Sequence, residues 1–495
     1  MRNRFLLSIM YFFLLIGLLI PSSFAEDDYT IEQTIASKTS AYGKFSKIEK
    51  ISLYGTLGGP VEPGSGTTYY VDATNGNDNN DGLSESTAWK TINKVNNNWF
   101  DPGDSILFKR GQTWNEALNI YVSGNSTDKI LYGAYGSGPK PVIDVLEASA
   151  YAVLFDHSSH VMMQEIEVKG GNLYGGAVIY DSNNIGLYNL TVDNNKGYGA
   201  VYILSDAAGT GQNNSVSNCE IHDNSGSAQS INDDNNGVGI FTYCPGVYCN
   251  NNEFVNNTIY NHGAAGIQII SGNNNHIAGN TIFHNNESAV HISGESISAS
   301  NIVERNTIYD NCRYLDDCCA IDFLWIGNDN IARYNTIHDT YDPFTDPEDL
   351  SIPYRDYSGG NYYGTCGIRF DGGHIAGNDH GTSTGNTAHH NLIYNEVMGI
   401  QVFNHDNTHI FNNVIYNSSY AGLHISSYSG STDYIAGNEI INNIVHTRPG
   451  FSHPIYSGPY LVYNGASRAN FSNNLYFSDA SVSFFFYYDK DGAYN

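Results

Sequence analysis

Charge is scarce in this 495-residue chain, and positive charge scarcest: 22 Lys and Arg stand against 50 Asp and Glu, for a formal net charge of −28. That balance excludes electrostatic attachment to nucleic acid or to an anionic membrane surface, because neither polyanion meets enough cations to release its counterions. Long apolar runs are missing after the first twenty residues, so no later stretch offers the ~20 apolar residues of a membrane-crossing helix. No Cys-x-x-Cys pair occurs, which removes the usual zinc spacing. The cysteines are few, seven in all, at 219, 244, 249, 312, 318, 319 and 366. They fit an oxidising compartment with one thiol left over.

What is abundant points to strands and turns. The chain carries 51 Gly and 38 Tyr, with Asn frequent throughout. Residues 1–25 read as a secretory signal: Arg2 and Arg4 are the basic end, residues 5–20 the apolar core, and Ser23-Phe24-Ala25 a small-x-small cleavage site. Cleavage removes two arginines and leaves a net charge of −30. The mature protein is therefore expected outside the cytoplasm, as a secreted, extracellular or periplasmic monomer without membrane contact. Residues 26–66 are weakly patterned and read as a leader or linker. Residues 67–150 open with strand, turn and one short amphipathic segment, which suits an N-terminal cap and first coils.

From about residue 151 to 495 the chain repeats itself. One phrase is apolar-x-x-Asn-x-apolar, as in Phe254…Asn257…Ile259 and Val303…Asn306…Ile308. The other is small-apolar-polar-apolar, as in Gly266-Ile267-Gln268-Ile269 and Gly399-Ile400-Gln401-Val402. The two alternate in units of 22 residues and upward, too short for a propeller blade. They predict an all-β solenoid in which apolar columns stack inward, one coil about 4.8 Å above the last. The core column expected is Ile259, Ile267, Ile282, Val290, Ile308, Ile321, Ile337, Ile368, Ile393, Ile400 and Ile415. Asn257, Asn280, Asn306, Asn335, Asn391 and Asn413 should form an amide ladder, each taking the left-handed backbone of a tight bend. Tyr260, Phe283, Tyr309, His338, Tyr394 and Tyr416 should stack on the surface.

These Asn-ladder coils, with the opening YYVDATNGNDNNDGLSESTAWKTI, resemble the right-handed parallel β-helix proteins of the pectate-lyase-like superfamily, over roughly residue 69 to the C-terminus. The resemblance implies three short parallel sheets, with the Asn bend between the second and third strands of a coil. It also makes the Gly-Ile-Gln-Ile phrase the first strand, whose sheet commonly carries a polysaccharide groove.

Down that strand the outward position reads Tyr202, Phe241, Gln268, His291, Asp322, Arg369, Gln401, His424. Two residues on, the next file reads Ile270, Ser293, Leu324, Asp371, Phe403, Ser426. Rings beneath sugar faces and planar polar groups for hydroxyls are what a glycan groove needs, so Tyr202, Phe241, Gln268, Gln401 and His424 are candidate substrate-binding residues. The longest insertions, residues 340–365 and 372–385, flank the Arg369 strand.

Three chemistries fit this groove. The resemblance to calcium-dependent lyases puts a polysaccharide lyase, or a C5-epimerase sharing its first step, in front. In that reading Arg369 or His291 is the base on an acidic polysaccharide, and Asp322, Asp371, Asp346 and Glu348 hold Ca²⁺. An inverting glycoside hydrolase would use Asp322 and Asp371 as acid and base, since one coil up and two residues along separates their backbones by about 8 Å. The third possibility is a carbohydrate-binding or cell-surface protein without catalysis. Cys319 and Cys366 occupy the same place on adjacent coils and are expected to bridge. Cys312 with Cys318, and Cys244 with Cys249, would close small loops.

Overall fold

The computed structural model describes residues 60, 62–226, 236–294, 298–313, 318–340, 365–372, 383–403, 405–418, 421–426, 437–447, 460–463, 470–478 and 485–488. The chain divides into Met1–Gly55 and Thr56–Asn495. The expected export signal falls in residues 1–59, outside the described residues. Among the described residues no helix is long and apolar enough to cross a membrane.

Each coil contributes three short strands, and each strand pairs in parallel with its counterparts in the coils before and after. The result is a right-handed parallel β-helix of three long sheets. The first sheet has 13 strands, from Leu118–Ile120 to Phe485–Tyr488; the second has 14, from Thr68–Val71 to Asn470–Ser472; the third has 13, from Thr113–Trp114 to Leu475–Ser478. Among the described residues, helix is confined to the N-terminal cap: a 3₁₀ turn at Glu85–Thr87 and the α-helix Ile92–Asn96. Thr91 caps that helix by accepting from the Lys94 N–H, while Ile92 and Val95 are buried.

All eleven isoleucine and valine positions of the expected column lie in one continuous core, fully withdrawn from solvent. The period of two puts every second side chain of a strand inward, and stacking like on like keeps these columns apolar through the solenoid. The bend between Glu253–Val255 and Thr258–Tyr260 contains Asn257, as the repeat predicts. The aromatic surface file also stacks: Tyr260 on Phe283, Phe283 on Tyr309, Tyr309 on His338 and His338 on Tyr394, with centroids 4.7–5.3 Å apart.

The ladder itself holds, but its backbone conformation does not fall where expected. The left-handed residue is the one before each ladder Asn: Asn256 (φ 57°), Gly279 (66°), Arg305 (55°), Tyr334 (56°), His390 (55°) and Asn412 (57°). That residue turns the corner, which frees the following Asn to point inward along the solenoid axis. There Asn306 Oδ1 accepts from both the N–H and Nδ2 of Asn280 (2.9 and 3.0 Å), and its Nδ2 donates to Ile277 O and Asn335 Oδ1 (both 3.0 Å). Two further ladders, not read from the repeat, occupy the other corners. Asn252, Asn275, Asn301, Asn330 and Asn386 link up before the second strand, and His262, Asn285 and Asn311 after the third.

Asn306→Ala should therefore be costly. It strands several buried donors and acceptors, each worth about 1–3 kcal/mol when left unsatisfied. We expect a clear fall in thermal midpoint, larger than for Asn474→Ala at the part-buried end of the ladder. Equal midpoints for the two variants would show that buried amides recruit water instead.

Candidate active site on the first sheet

The strands Cys319–Leu324 and Cys366–Asp371 lie side by side near the middle of the first sheet. Ile321 and Phe323 point into the core from one strand, Ile368 and Phe370 from the other, and the two phenyl rings stack at 5.1 Å. Alternation then sends Asp322, Leu324, Arg369 and Asp371 outward. The alternation breaks at the start of each strand, because Ala320 also packs in the core. Its neighbour in the next coil must be small: a Cβ on Gly367 would sit 2.7 Å from Gly399 O and from Ile393 Cγ2. This is why the repeat phrase begins with glycine or alanine.

Both outward files run in the order the sequence predicts. Tyr202 pairs with Phe241, Phe241 with Gln268, Gln268 with His291, His291 with Asp322, Asp322 with Arg369, Arg369 with Gln401 and Gln401 with His424. The second file places Asp371 between Leu324 and Phe403. The first file is more secluded than an open groove floor. Asp322 is 3% exposed and Arg369 6%, and Tyr202, Phe241, Gln268 and Gln401 are buried as well. Asp371 is half-buried.

Asp322 is the hub. Arg369 grips it with two parallel bonds, Nε to Oδ1 and Nη2 to Oδ2, both 2.9 Å. His291 Nδ1 lies 3.3 Å from the same Oδ2, on a side chain that keeps 19% of its surface exposed. Burial alone pushes the Asp322 carboxyl up, but Arg369 and His291 outweigh it and hold the group well below the usual carboxylate range. Asp322 is thus a fixed anion, and Arg369, held by both of its oxygens, is a fixed cation. One coil up from Arg369, Gln401 Nε2 donates to His424 Nδ1 (3.1 Å), and burial pushes that imidazole down to about 4. At the other end, Tyr202 and Phe241 stack at 5.1 Å and 5°.

The structure thus gathers His291, Asp322 and Arg369 into one contact network and sets Asp371 on the next coil, two residues along. Asp346 and Glu348 lie outside the described residues. Among the described residues no group of three or more His, Cys, Asp or Glu could hold a metal ion. What the sequence does not reveal is the bidentate pair itself. Its signal is the placement of opposite charges at one phrase position on adjacent coils.

The three expected disulfides form: Cys319–Cys366, Cys312–Cys318 and Cys244–Cys249, with Cys219 free and buried. The first ties the two strands that carry Asp322 and Arg369, across 47 residues of sequence. Closing so long a loop should stabilise by about 2–4 kcal/mol. The double variant Cys319→Ser/Cys366→Ser is expected to melt several degrees lower, and non-reducing peptide maps of the wild type should contain the bridged peptide. Alkylatable Cys319 in freshly purified protein would remove the bridge.

The fold is that of a right-handed parallel β-helix, with a charged cluster on the outer face of its first sheet. No protein-family model matches the chain. A stretch of 85 residues is 45% identical to a lacto-N-biosidase of Bifidobacterium longum subsp. longum; it spans 16% of this chain and 5% of that protein's length. Among solved structures, a GH136 lacto-N-biosidase from Eubacterium ramulus is similar at TM-score 0.53 and 18% identity, over 83% of this chain and 68% of that one. A family 6 polysaccharide lyase from Pseudopedobacter saltans is similar at TM-score 0.50 and 15% identity, over 78% and 91%.

Proposed function

We propose that the chain is an exported glycoside hydrolase acting on a neutral or weakly charged glycan laid along the first sheet, with Asp322 as the ionised carboxylate and Asp371 as the proton donor. The observation that carries this reading is the carboxylate of Asp322, held ionised by Arg369 and so able to take the proton of an attacking water, with a second carboxyl one coil up and two residues along to protonate the leaving oxygen. Glycosidic cleavage needs such a pair, one carboxyl charged and one able to give a proton. One coil and two residues separate the two backbones by about 8 Å; carboxyl groups at a like spacing, roughly 6.5–9.5 Å, would leave room for a water and invert the anomeric centre. Electrostatics supports a neutral substrate. In the two outward files named above, Arg369 is the one Lys or Arg, and Asp322 already neutralises it. A polyuronate would approach a chain of net charge −28 without a compensating cation. The local identity to a lacto-N-biosidase adds support. The apolar core of residues 5–20 and the three disulfides support export.

A second reading, polysaccharide lyase or epimerase, is favoured by one contact. The part-exposed His291 beside Asp322 is oriented as a proton abstractor would be. Arg369 does not serve as the base in this reading, because its bidentate partner keeps it protonated. The uronate charge would then need Ca²⁺, held by Asp371 with Asp346 and Glu348.

One panel separates the two: neutral oligosaccharides and polyuronates, each with and without chelator, followed for new reducing ends and for the ultraviolet absorbance of an unsaturated product. The hydrolase gives reducing ends from a neutral glycan, no absorbing product and no chelator effect. Absorbing product from a polyuronate, abolished by chelator, would overturn it in favour of the lyase.

A further inference from the structure

On the first sheet, the outward file that carries Asp322 offers a ligand little surface. Tyr202, Phe241, Gln268, Asp322 and Arg369 are all buried. The accessible floor is the second outward file, two residues along. Strand pairing sets Tyr180, Leu204, Tyr243, Ile270, Ser293 and Leu324 one above the other and brings Leu324 against Asp371. Each of the six is half-buried, and none is charged. Asp156 is the next residue beyond Tyr180. Six strand steps separate Tyr180 from Asp371, so an uncharged track about 29 Å long leads to the proton donor of the proposed reaction.

The two rings of the track are held in place. Buried Phe241 lies against Tyr243, with centroids 5.9 Å apart and planes at 21°. Tyr180 meets the His157 ring edge-on at 5.6 Å, and its hydroxyl donates to Asp206 Oδ2 at 3.2 Å. Rings fixed before binding lose little freedom when a ligand settles on them. The two tyrosines stand two coils apart, about 10 Å. A sugar in an extended β-linked glycan advances about as far as one coil, so they are spaced for alternate sugars of one chain.

We propose that this track is the distal part of the substrate cleft, and that it selects an extended, uncharged glycan reaching about six sugars from the cleaved bond. The inference rests on the hydrolase reading above and names the length and polarity of its substrate. Tyr243 meets the chain about four sugars from Asp371, and Tyr180 about six. The apolar C–H faces of the sugars lie on Leu204, Ile270, Leu324 and the two tyrosines, which leaves their hydroxyls to water and to the cleft walls. A polyuronate gains nothing from this floor: the six residues include no Lys or Arg, and Asp156 and Asp206 stand at its far end.

The test uses size-fractionated ladders of neutral β-linked glucan, mannan, xylan and galactan with wild type, Tyr180→Ala, Tyr243→Ala and Ile270→Glu. The last adds a charge on a part-exposed side chain and serves if loss of a ring upsets folding. On the ladder that is cleaved, wild-type kcat/KM should climb at least about tenfold between three and seven units. Tyr243→Ala and Ile270→Glu should lose most of that gain and Tyr180→Ala its last part, through KM with kcat kept. Affinity electrophoresis of Asp371→Asn through gels of the parent polymers reads binding without turnover. Adding Tyr243→Ala should weaken its retardation at least about tenfold. Cleavage without length dependence, or folded variants with the wild-type length profile, overturns the track and leaves the hydrolase reading standing. Retardation that Tyr243→Ala removes, with no ladder cleaved, supports the track and sinks the hydrolase. Neither cleavage nor retardation overturns both. A dimer in solution that Ile270→Glu disperses would assign the track to a second copy of the chain and overturn it as well.

Discussion

Asp322→Asn and Asp371→Asn are each expected to lower turnover by roughly 10²–10⁴-fold, the usual loss when a positioned acid or base is removed. The two variants fail for different reasons. Asn at 371 keeps the shape and loses the proton, so a substrate with a good leaving group, which needs little protonation, should recover much of the lost rate. Asn at 322 removes the fixed anion, and no leaving group should rescue it. This asymmetry follows from the environments: Asp322 is clamped by Arg369 at two oxygens, whereas Asp371 is half-buried between Leu324 and Phe403 on the ladder. Kinetics on a verified substrate pair, with circular dichroism to confirm folding, decides the matter. An Asp371→Asn enzyme with wild-type kcat would sink the assignment, whatever Asp322→Asn does.

Arg369→Ala is expected to be the most destabilising single change at the site, by about 3–5 kcal/mol, because it leaves the Asp322 carboxylate buried with its main partner gone. Changing both partners together, Asp322→Leu/Arg369→Met, should restore most of that stability while abolishing activity, since a buried ion pair is worth little against apolar groups of similar volume. The pH dependence carries a definite sign. The Asp322 carboxyl titrates lower in the folded chain than its ordinary 3.8, so the unfolded chain binds protons first on acidification. Its contribution is complete above about pH 4 and declines as the pH falls below that. Glu304, lowered from 4.5 to about 2 against the upward push of burial, by His276 and Arg333, adds a second loss over that interval. Thermal midpoints of wild type should therefore drop steeply between pH 4.5 and 2. In Arg369→Ala the part due to Asp322 should be much reduced. Parallel acid profiles for the two proteins would show that the ion pair contributes nothing.

In this chain the repeat made tertiary contacts legible as text. Each coil rests on a copy of itself, so aligning Gly266-Ile267-Gln268-Ile269 with Ala289-Val290-His291-Ile292 is the same act as pairing their strands. For that reason the core column, the three sheets, the order of both outward files and the Cys319–Cys366 bridge are all determined by local periodicity and stacking. The amide ladder is readable for the same reason, because a buried Asn at one corner needs an Asn above and below it.

Periodicity fixes direction and height, but not depth or rotamer, and the remaining features depend on those. Only the folded chain decided that Asp322 would take Arg369 with both oxygens and His291 at the edge, since one outward position on three coils is compatible with several pairings. Only the folded chain withdrew that file from solvent, and only the Arg369 and His291 contacts, which outweigh that burial, turned Asp322 from a candidate acid into a fixed anion. The corner geometry is of the same kind. The sequence marks where the chain must turn, but which residue adopts the left-handed conformation depends on which side chain must reach the axis. The ladder Asn points inward, and the turn passes to its predecessor, placing Arg305, Tyr334 and His390 in one exposed stack.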